Sequence, residues 1–379
     1  MSSANTPATR LATRLAFLVA GFGIASWAPL IPFAKVRLAV DDGTLGLLLL
    51  CLGAGSVSSM VLTGGLCSRY GSKPVVGAAG VALALLVPVL VLAPTPISLA
   101  IALFCFGAAL GTLDVAMNVH AVAVEQASTL PLMSGFHGMF SVGGFAGAAV
   151  MTGLLSLHVP PFAATALCAT AMLAAMAVVW PRLLAAKPGE RGPMFVKPHG
   201  LIFVLAGLAA ITFLVEGALL DWSALLVTNA GLVAVAQGGL GYMLFAIAMT
   251  VGRFGGDAVV AKIGDQATLF WGGLASVTGF VILLFAPVFG VAVAGFLLIG
   301  LGASNLVPVL FRRSGSQRVM PAALAVSAIT TVGYAGVLVG PALIGFVAQA
   351  VGLQSAFWML ALLLCAVPAS ARLVAPVRT

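Results

Sequence analysis

From Ala16 to the neighbourhood of Arg372 the chain repeats one pattern: about twenty apolar residues, then a short break rich in Gly, Pro or charge. Segments of that length cross a bilayer, and inside one the backbone must satisfy its own hydrogen bonds as helices or a closed barrel. Barrel strands alternate polarity residue by residue, and these runs do not alternate. The expected fold class is therefore an all-α polytopic membrane protein. Charge supports this, since only 7% of the 379 residues are charged, against about a quarter in soluble domains.

Reading the hydropathy along the chain gives twelve expected spans. They cover 14–34, 44–66, 75–93, 97–124, 132–157 and 160–181, then 200–228, 236–261, 267–287, 290–311, 320–349 and 354–373. The longest polar stretch, Arg182 to His199, holds Lys187, Glu190, Arg191 and Lys197 together with three prolines. The expected organisation is an N-terminal six-helix bundle over 1–181, a cytoplasmic linker over 182–199 and a C-terminal six-helix bundle over 200–379. Arg10 and Arg14 ahead of the first apolar run resemble a signal peptide, but that run is long and no small-residue cleavage site follows it. An uncleaved first helix is expected.

The net charge of +8 comes from basic residues placed in the breaks between spans. With the N-terminus inside, fifteen of the seventeen Lys and Arg fall on the cytoplasmic side, Arg253 among them, and only Lys35 and Arg37 fall outside. That bias orients a membrane protein with an even number of spans and both termini cytoplasmic. The basic residues form no patch interleaved with aromatics, so nucleic-acid binding is not expected. Five scattered cysteines make no C-x-x-C pair and the four histidines are dispersed, so no metal site is expected. No Walker loop, G-x-S-x-G or zinc-ligand helix is present, so the chain is not expected to be an enzyme.

The halves repeat weakly. Ser141-Val-Gly-Gly-Phe-Ala-Gly echoes Thr331-Val-Gly-Tyr-Ala-Gly, Gly111 to Asn118 echoes Gly300 to Asn305, and Arg69-Tyr-Gly71 echoes Lys262-Ile-Gly264. The offsets, 190, 187 and 193 residues, agree closely. Two homologous bundles predict a solute site near the bilayer midplane at their interface.

Within the apolar runs a few polar side chains stand out. Asp114 lies in the middle of an apolar run, the nearest charged residue upstream being Lys73. A carboxylate there is expensive unless it is paired, hydrated or protonated, which marks it as a candidate proton carrier or, on the plainer reading, a structural acid bonded to a neighbouring helix. Asn118, four residues on, shares its helical face and is a candidate for solute binding. Glu216 is expected near mid-bilayer, while Asp221, about 140° around the helix, is expected to face elsewhere, beside Trp222. His137 could relay a proton or simply mark a helix end, and His120 is expected at the cytoplasmic interface. Trp27, Tyr242, Asn305 and Tyr334 are candidates for lining a cavity, where an aromatic face with a polar tip suits sugars and amphipathic solutes. Four Gly-x-x-x-Gly pairs (Gly107/Gly111, Gly143/Gly147, Gly252/Gly256 and Gly336/Gly340) should let helices pack closely.

The turn Gly64-Gly-Leu-Cys-Ser-Arg-Tyr-Gly-Ser-Lys73 resembles the G-x-x-x-D-R-x-G-R-K signature of the major facilitator superfamily, with Ser68 in place of the acid. Leu113 to Asn118, Gly135 to Gly144, Glu216 to Ser223, Gly252 to Gly256 and Gly300 to Pro308 are similar to that superfamily's fucose-permease-like bacterial branch. The resemblance implies a twelve-helix fold in two six-helix bundles with a central cavity. It implies proton coupling at Asp114 with Asn118 beside it, and conformational gating at Gly64, Arg69, Gly71 and Lys73, the turn that locks the outward-open state. The branch also uses a first-helix aspartate, and here Ile24 to Pro32 contains no acid. The expected function is a proton-coupled secondary active transporter working by alternating access, with Asp114, Glu216 and His137 as proton-coupling candidates. Symport of a sugar or related polar solute is the leading expectation. A proton-driven exporter of amphipathic compounds, or a transporter-like sensor without net flux, remain alternatives. No cofactor beyond the proton is expected, the partners are a small solute and lipid, and the protein is expected to be a monomer in the bacterial inner membrane.

Overall fold

The structure, a computed structural model, describes residues 6–40, 42–185, 197–233 and 240–374. Most of the expected linker, 186–196, lies outside the described residues. Every regular element among the described residues is helical: α1 (Pro7–Trp27), a 3-10 turn (Ala28–Leu30), α2 (Ile31–Leu38), α3 (Asp42–Tyr70), α4 (Ser72–Leu92), α5 (Pro96–Gln126), α6 (Met133–Ser156) and α7 (Pro161–Arg182). The second half continues with α8 (Leu201–Asn229), α9 (Leu240–Leu284), α10 (Phe289–Ala303), α11 (Leu306–Ser316), α12 (Ala322–Val351), α13 (Leu353–Leu364) and α14 (Ala366–Val374). Eleven segments are long and apolar enough to cross a membrane, with α10 and α11 sharing one pass and α13 and α14 another. The segment α9 is two helices joined across Gly264, which brings the described passes to twelve.

Local chemistry sets the ends. The first helix begins at Pro7, ahead of the apolar run, because Thr6 and Thr9 form a reciprocal cap: Thr9 N donates to Thr6 Oγ1 (3.1 Å) and Thr6 N to Thr9 Oγ1 (2.9 Å). Thr95 and Ser98 do the same for α5, with Pro96 in the first turn where its missing N–H costs nothing. Arg37 donates to the Leu90 and Val91 carbonyls, which the end of α4 leaves without helical partners. Gly71 (φ 82, ψ 159) separates α3 from α4, and Gly264 (φ 80, ψ 169) makes the same reversal inside α9. Only glycine adopts that backbone without strain, so the turn repeated in sequence is also repeated in conformation.

The glycine pairs seat one helix on another. A Cβ at Gly107 or Gly111 would meet the backbone of Leu52 or Ser56, which places α5 directly on α3. Gly143 and Gly147 hold α6 against Leu18 and Phe22 of α1, and Gly336 holds α12 against Ala210 of α8. Packing of this kind replaces the hydrophobic drive that helices lack in lipid. Large apolar side chains left exposed along the helices, such as Leu85, Ile101, Phe203 and Phe346, suit contact with acyl chains.

The chain divides into two compact units. One gathers 1–129, 136–197 and 320–328, and the other 130–135, 198–319 and 329–379. Each unit therefore takes six passes, except that the start of α6 belongs with the second unit and the start of α12 with the first.

Candidate functional site

In the first unit, α5 carries a stripe of Gly107, Gly111, Asp114 and Asn118, spaced four, three and four residues apart and hence on one helical face. The two glycines abut α3, and the two polar residues continue the stripe. Asp114 is 8% exposed and Asn118 1%. Asn118 Nδ2 donates to the Asp114 carbonyl at 2.9 Å and reaches its carboxyl Oδ1 at 3.4 Å, while Asn118 Oδ1 is buried without a hydrogen-bond partner. Asp114 makes no salt bridge among the described residues.

Other candidates in this unit lie in separate settings. Trp27 is 2% exposed, and its buried Nε1 lacks a hydrogen-bond partner. The His137 ring sits 5.1 Å from the Phe17 ring. His120 is buried in the packing of α5: Leu184 N, just after α7, donates to its Nε2 at 2.9 Å, and Nδ1 faces Thr13 Oγ1 at 3.1 Å. A ring that accepts at Nε2 and carries its hydrogen on Nδ1 is the neutral tautomer, bridging α1, α5 and the chain after α7. At the signature turn, Gly64 is buried against Ser327 and the Ala323 carbonyl, and Ser327 donates to Met60 O. The Arg69 guanidinium lies over Tyr70 at 5.4 Å and the Lys73 ammonium over Trp180 at 5.3 Å, both of them cation–π contacts.

In the second unit, Glu216 of α8 meets Arg253 of α9, with Oε2 3.6 Å from Nη2 and side chains 19% and 10% exposed. Arg253 was expected among the loop cations, and the structure corrects that placement: it lies within an apolar helix, roughly 16 Å along the axis from Gly264. Glu216 Oε1 is buried without a hydrogen-bond partner. Asp221 is exposed, which agrees with its opposite azimuth on α8. Tyr242 lies within electrostatic reach of Glu216, Arg253 and Asp221. Tyr334 of α12 packs on Phe213 of α8, ring centroids 5.9 Å apart. Asn305 sits at the break between α10 and α11, 8% exposed, where Nδ2 donates to Gly252 O (3.1 Å) and to Ser304 Oγ (2.9 Å). A Cβ on Gly256 would collide with its amide, so this asparagine is set into a helix–helix joint.

Sequence reasoning missed two features here. One is Arg253 itself. The other is Asp257, whose two carboxyl oxygens accept from the backbone N–H of Ser134 (3.0 Å) and Gly135 (2.9 Å) at the start of α6. A carboxylate suits the positive end of a helix, where N–H groups lack partners. The signal for Asp257 was its position one turn after Arg253, on the same face.

The first unit thus holds a buried carboxyl with an amide beside it, and the second a carboxyl–guanidinium pair and a buried amide. Groups of three or more His, Cys, Asp or Glu that could hold a metal are absent among the described residues. The pattern of the Major Facilitator Superfamily matches residues 14–318. The chain is similar to an uncharacterised MFS-type transporter of Yersinia pestis, 49% identical over 96% of this chain and 95% of that one. It is also similar to membrane protein MosC of Rhizobium meliloti, 33% identical over 92% and 86% of the two chains. Among solved structures, the Escherichia coli fucose:proton symporter FucP superposes with a TM-score of 0.77 over 98% of this chain and 99% of that one, at 15% identity. That last likeness concerns the fold alone. Twelve apolar passes in two units, a glycine reversal repeated in both halves, and these matches make the chain a member of the major facilitator superfamily.

Proposed function

We propose that this transporter couples the movement of a small organic solute, a sugar or related polar compound, to a proton in symport. It works by alternating access, in the bacterial inner membrane with both termini cytoplasmic and as a monomer. One observation carries the reading: Asp114 is a buried carboxyl on a membrane helix with an amide, not a cation, as its neighbour. No salt bridge among the described residues holds that carboxyl, and an acid set in a membrane helix without a counter-charge is a natural place for a coupling proton to bind and leave. Proton and solute then bind more tightly together than apart, because each favours the same conformation. FucP, which shares the fold, is by its title a fucose:proton symporter, and that supports both the coupling ion and the solute class.

In this reading Asn118 and Trp27 offer polar groups to the solute, and Tyr242, Asn305 and Tyr334 are the corresponding candidates of the second half. Gly64, Arg69, Gly71 and Lys73 form the gating turn, and His137 and Glu216 are secondary proton sites. The test uses purified protein in weakly buffered liposomes, with external pH followed as a panel of sugars and polyols is added. Wild type is expected to alkalinise the medium with its solute, and Asp114→Asn to bind the solute and exchange it without proton movement. Normal proton movement in Asp114→Asn removes Asp114 from the mechanism.

A further inference from the structure

We infer that a groove between α9 and α14 holds an anionic phospholipid, with its phosphate on Arg372 and an acyl chain along Trp271. The groove lies in the second unit, and its occupancy does not depend on which solute moves or how that solute is coupled. Beyond the Gly264 reversal the second helix of α9 runs beside α14, the last described helix, and Gly273 seats on Pro368. Between that contact and the reversal a groove of about 560 Å³ remains. Small residues leave the space, Ala267 on one helix and Ala369 and Ala371 on the other. Phe270 and Trp271 border it with their rings edge to face, 5.1 Å apart, and Trp271 is 60% exposed. An apolar lining of this kind suits acyl chains in general.

Charge decides which lipid. Arg372 lines the groove near the end of α14, is exposed and makes no ion pair among the described residues. Lys262, one residue before the groove's Ile263, is exposed as well. The same end carries Arg312 and Arg313 of α11, and Arg313 Nε donates to the Val374 carbonyl of α14 at 2.9 Å. One acid stands among these cations. Asp265 Oδ1 lies 2.5 Å from Arg312 Nη1 and its Oδ2 3.9 Å from Arg313 Nη1, so that acid is engaged by α11. Among the described residues no acid lines the groove itself. An apolar groove with a cationic end is the complement of a lipid with an anionic head. A guanidinium grips phosphate oxygens with two parallel N–H···O bonds. The half-buried Gln266 amide suits the glycerol hydroxyls of a phosphatidylglycerol head. Trp271, five residues on and about 7.5 Å further along the helix, reaches the level where an indole N–H meets ester carbonyls and its ring meets chains. Phosphatidylcholine brings its own cation beside the phosphate and gains less from Arg372.

The experiment places the full-length protein in phosphatidylcholine vesicles that contain a small fraction of brominated lipid, either phosphatidylglycerol or phosphatidylcholine with bromine on its acyl chains. Bromine quenches tryptophan fluorescence on contact, and the difference between wild type and Trp271→Phe isolates Trp271 from the other four tryptophans. The Trp271 share is expected to favour brominated phosphatidylglycerol by about fivefold in apparent affinity, and raised salt should shrink that preference. Arg372→Gln should remove most of the preference, and Arg372→Lys, which keeps the charge without the fork, should retain part of it. If Arg372→Gln does not fold, Lys262→Gln and the salt dependence decide. Equal quenching by the two lipids means bulk bilayer only and overturns the inference, as does an unchanged preference in Arg372→Gln. Quenching of Trp271 by neither lipid means that protein, such as a second copy of this chain, covers the groove, and overturns it too.

Discussion

Both imidazole nitrogens of His120 are occupied, one by a backbone N–H and the other by a threonine hydroxyl. Replacing the ring by Ala leaves Leu184 N without that acceptor in a buried setting, which costs about 1–3 kcal/mol, and opens a cavity that costs about as much again. We expect His120→Ala to lower the melting temperature of the purified protein while substrate-driven proton movement per folded molecule stays intact. Loss of coupling without loss of stability would instead place His120 in the proton path. At this scale the sequence is informative only where a charge is conspicuous. Asp114 could be read directly, because it stands inside a long apolar run with no charge upstream before Lys73. Arg253 could not, since a cation next to Gly-Gly and within a dozen residues of Lys262 looks like part of a cytoplasmic turn. Its depth depends on where α9 reverses, and only the left-handed backbone at Gly264 fixes that point. The bonds of His120 were hidden for a related reason: its partners, Thr13 and Leu184, are remote in sequence.

Among helices, the decisive contacts are made by residues with no side chain at all. Gly143 and Gly144 are neighbours in α6, yet a Cβ on Gly143 would strike the Leu18 carbonyl of α1, whereas none of the described atoms lies within 4 Å of one on Gly144. Alanine is favoured over glycine inside a helix by about 1 kcal/mol, so Gly144→Ala is expected to be neutral or mildly stabilising. Gly143→Ala must push α1 and α6 apart and should cost several times as much, about 2–4 kcal/mol, in line with overpacking elsewhere. Chemical or thermal unfolding of the two variants in the same detergent reads the difference, and equal stabilities would mean α6 does not seat on α1 as described. The four spaced glycine pairs were visible from the start. What spacing could not supply was the azimuth, because Gly143/Gly147 and a pair one residue displaced present the same pattern to a reader of the sequence. The same limit applied to Asn305: its sequence marked it as polar in an apolar helix, but only packing reveals that Gly252 and Ser304 take its amide hydrogens.

For the molecule as a whole, the proposed orientation rests on charge placement and does not depend on Arg253. Removing that residue from the loop cations leaves fourteen of sixteen on the proposed cytoplasmic side, with Lys35 and Arg37 opposed. Short basic loops are retained inside with a strength that one misassigned residue does not overturn. The repeat agrees, since the glycine reversals at 71 and 264 have nearly the same φ and ψ, as two copies of one turn at one end of their bundles should. Arg37 lies at the other end of α4, bound to the Leu90 and Val91 carbonyls, so it and Gly71 must emerge on opposite faces of the membrane. The expected outcome is therefore definite. Alkaline phosphatase fused after Ala39 should be active, because it folds only outside the cytoplasm, and fusions after Gly71 and at the C-terminus should be inactive. A green fluorescent protein at the C-terminus should fluoresce. Active phosphatase at Gly71 would invert the proposed topology, and with it the side from which Asp114 would draw its proton in the proposed symport.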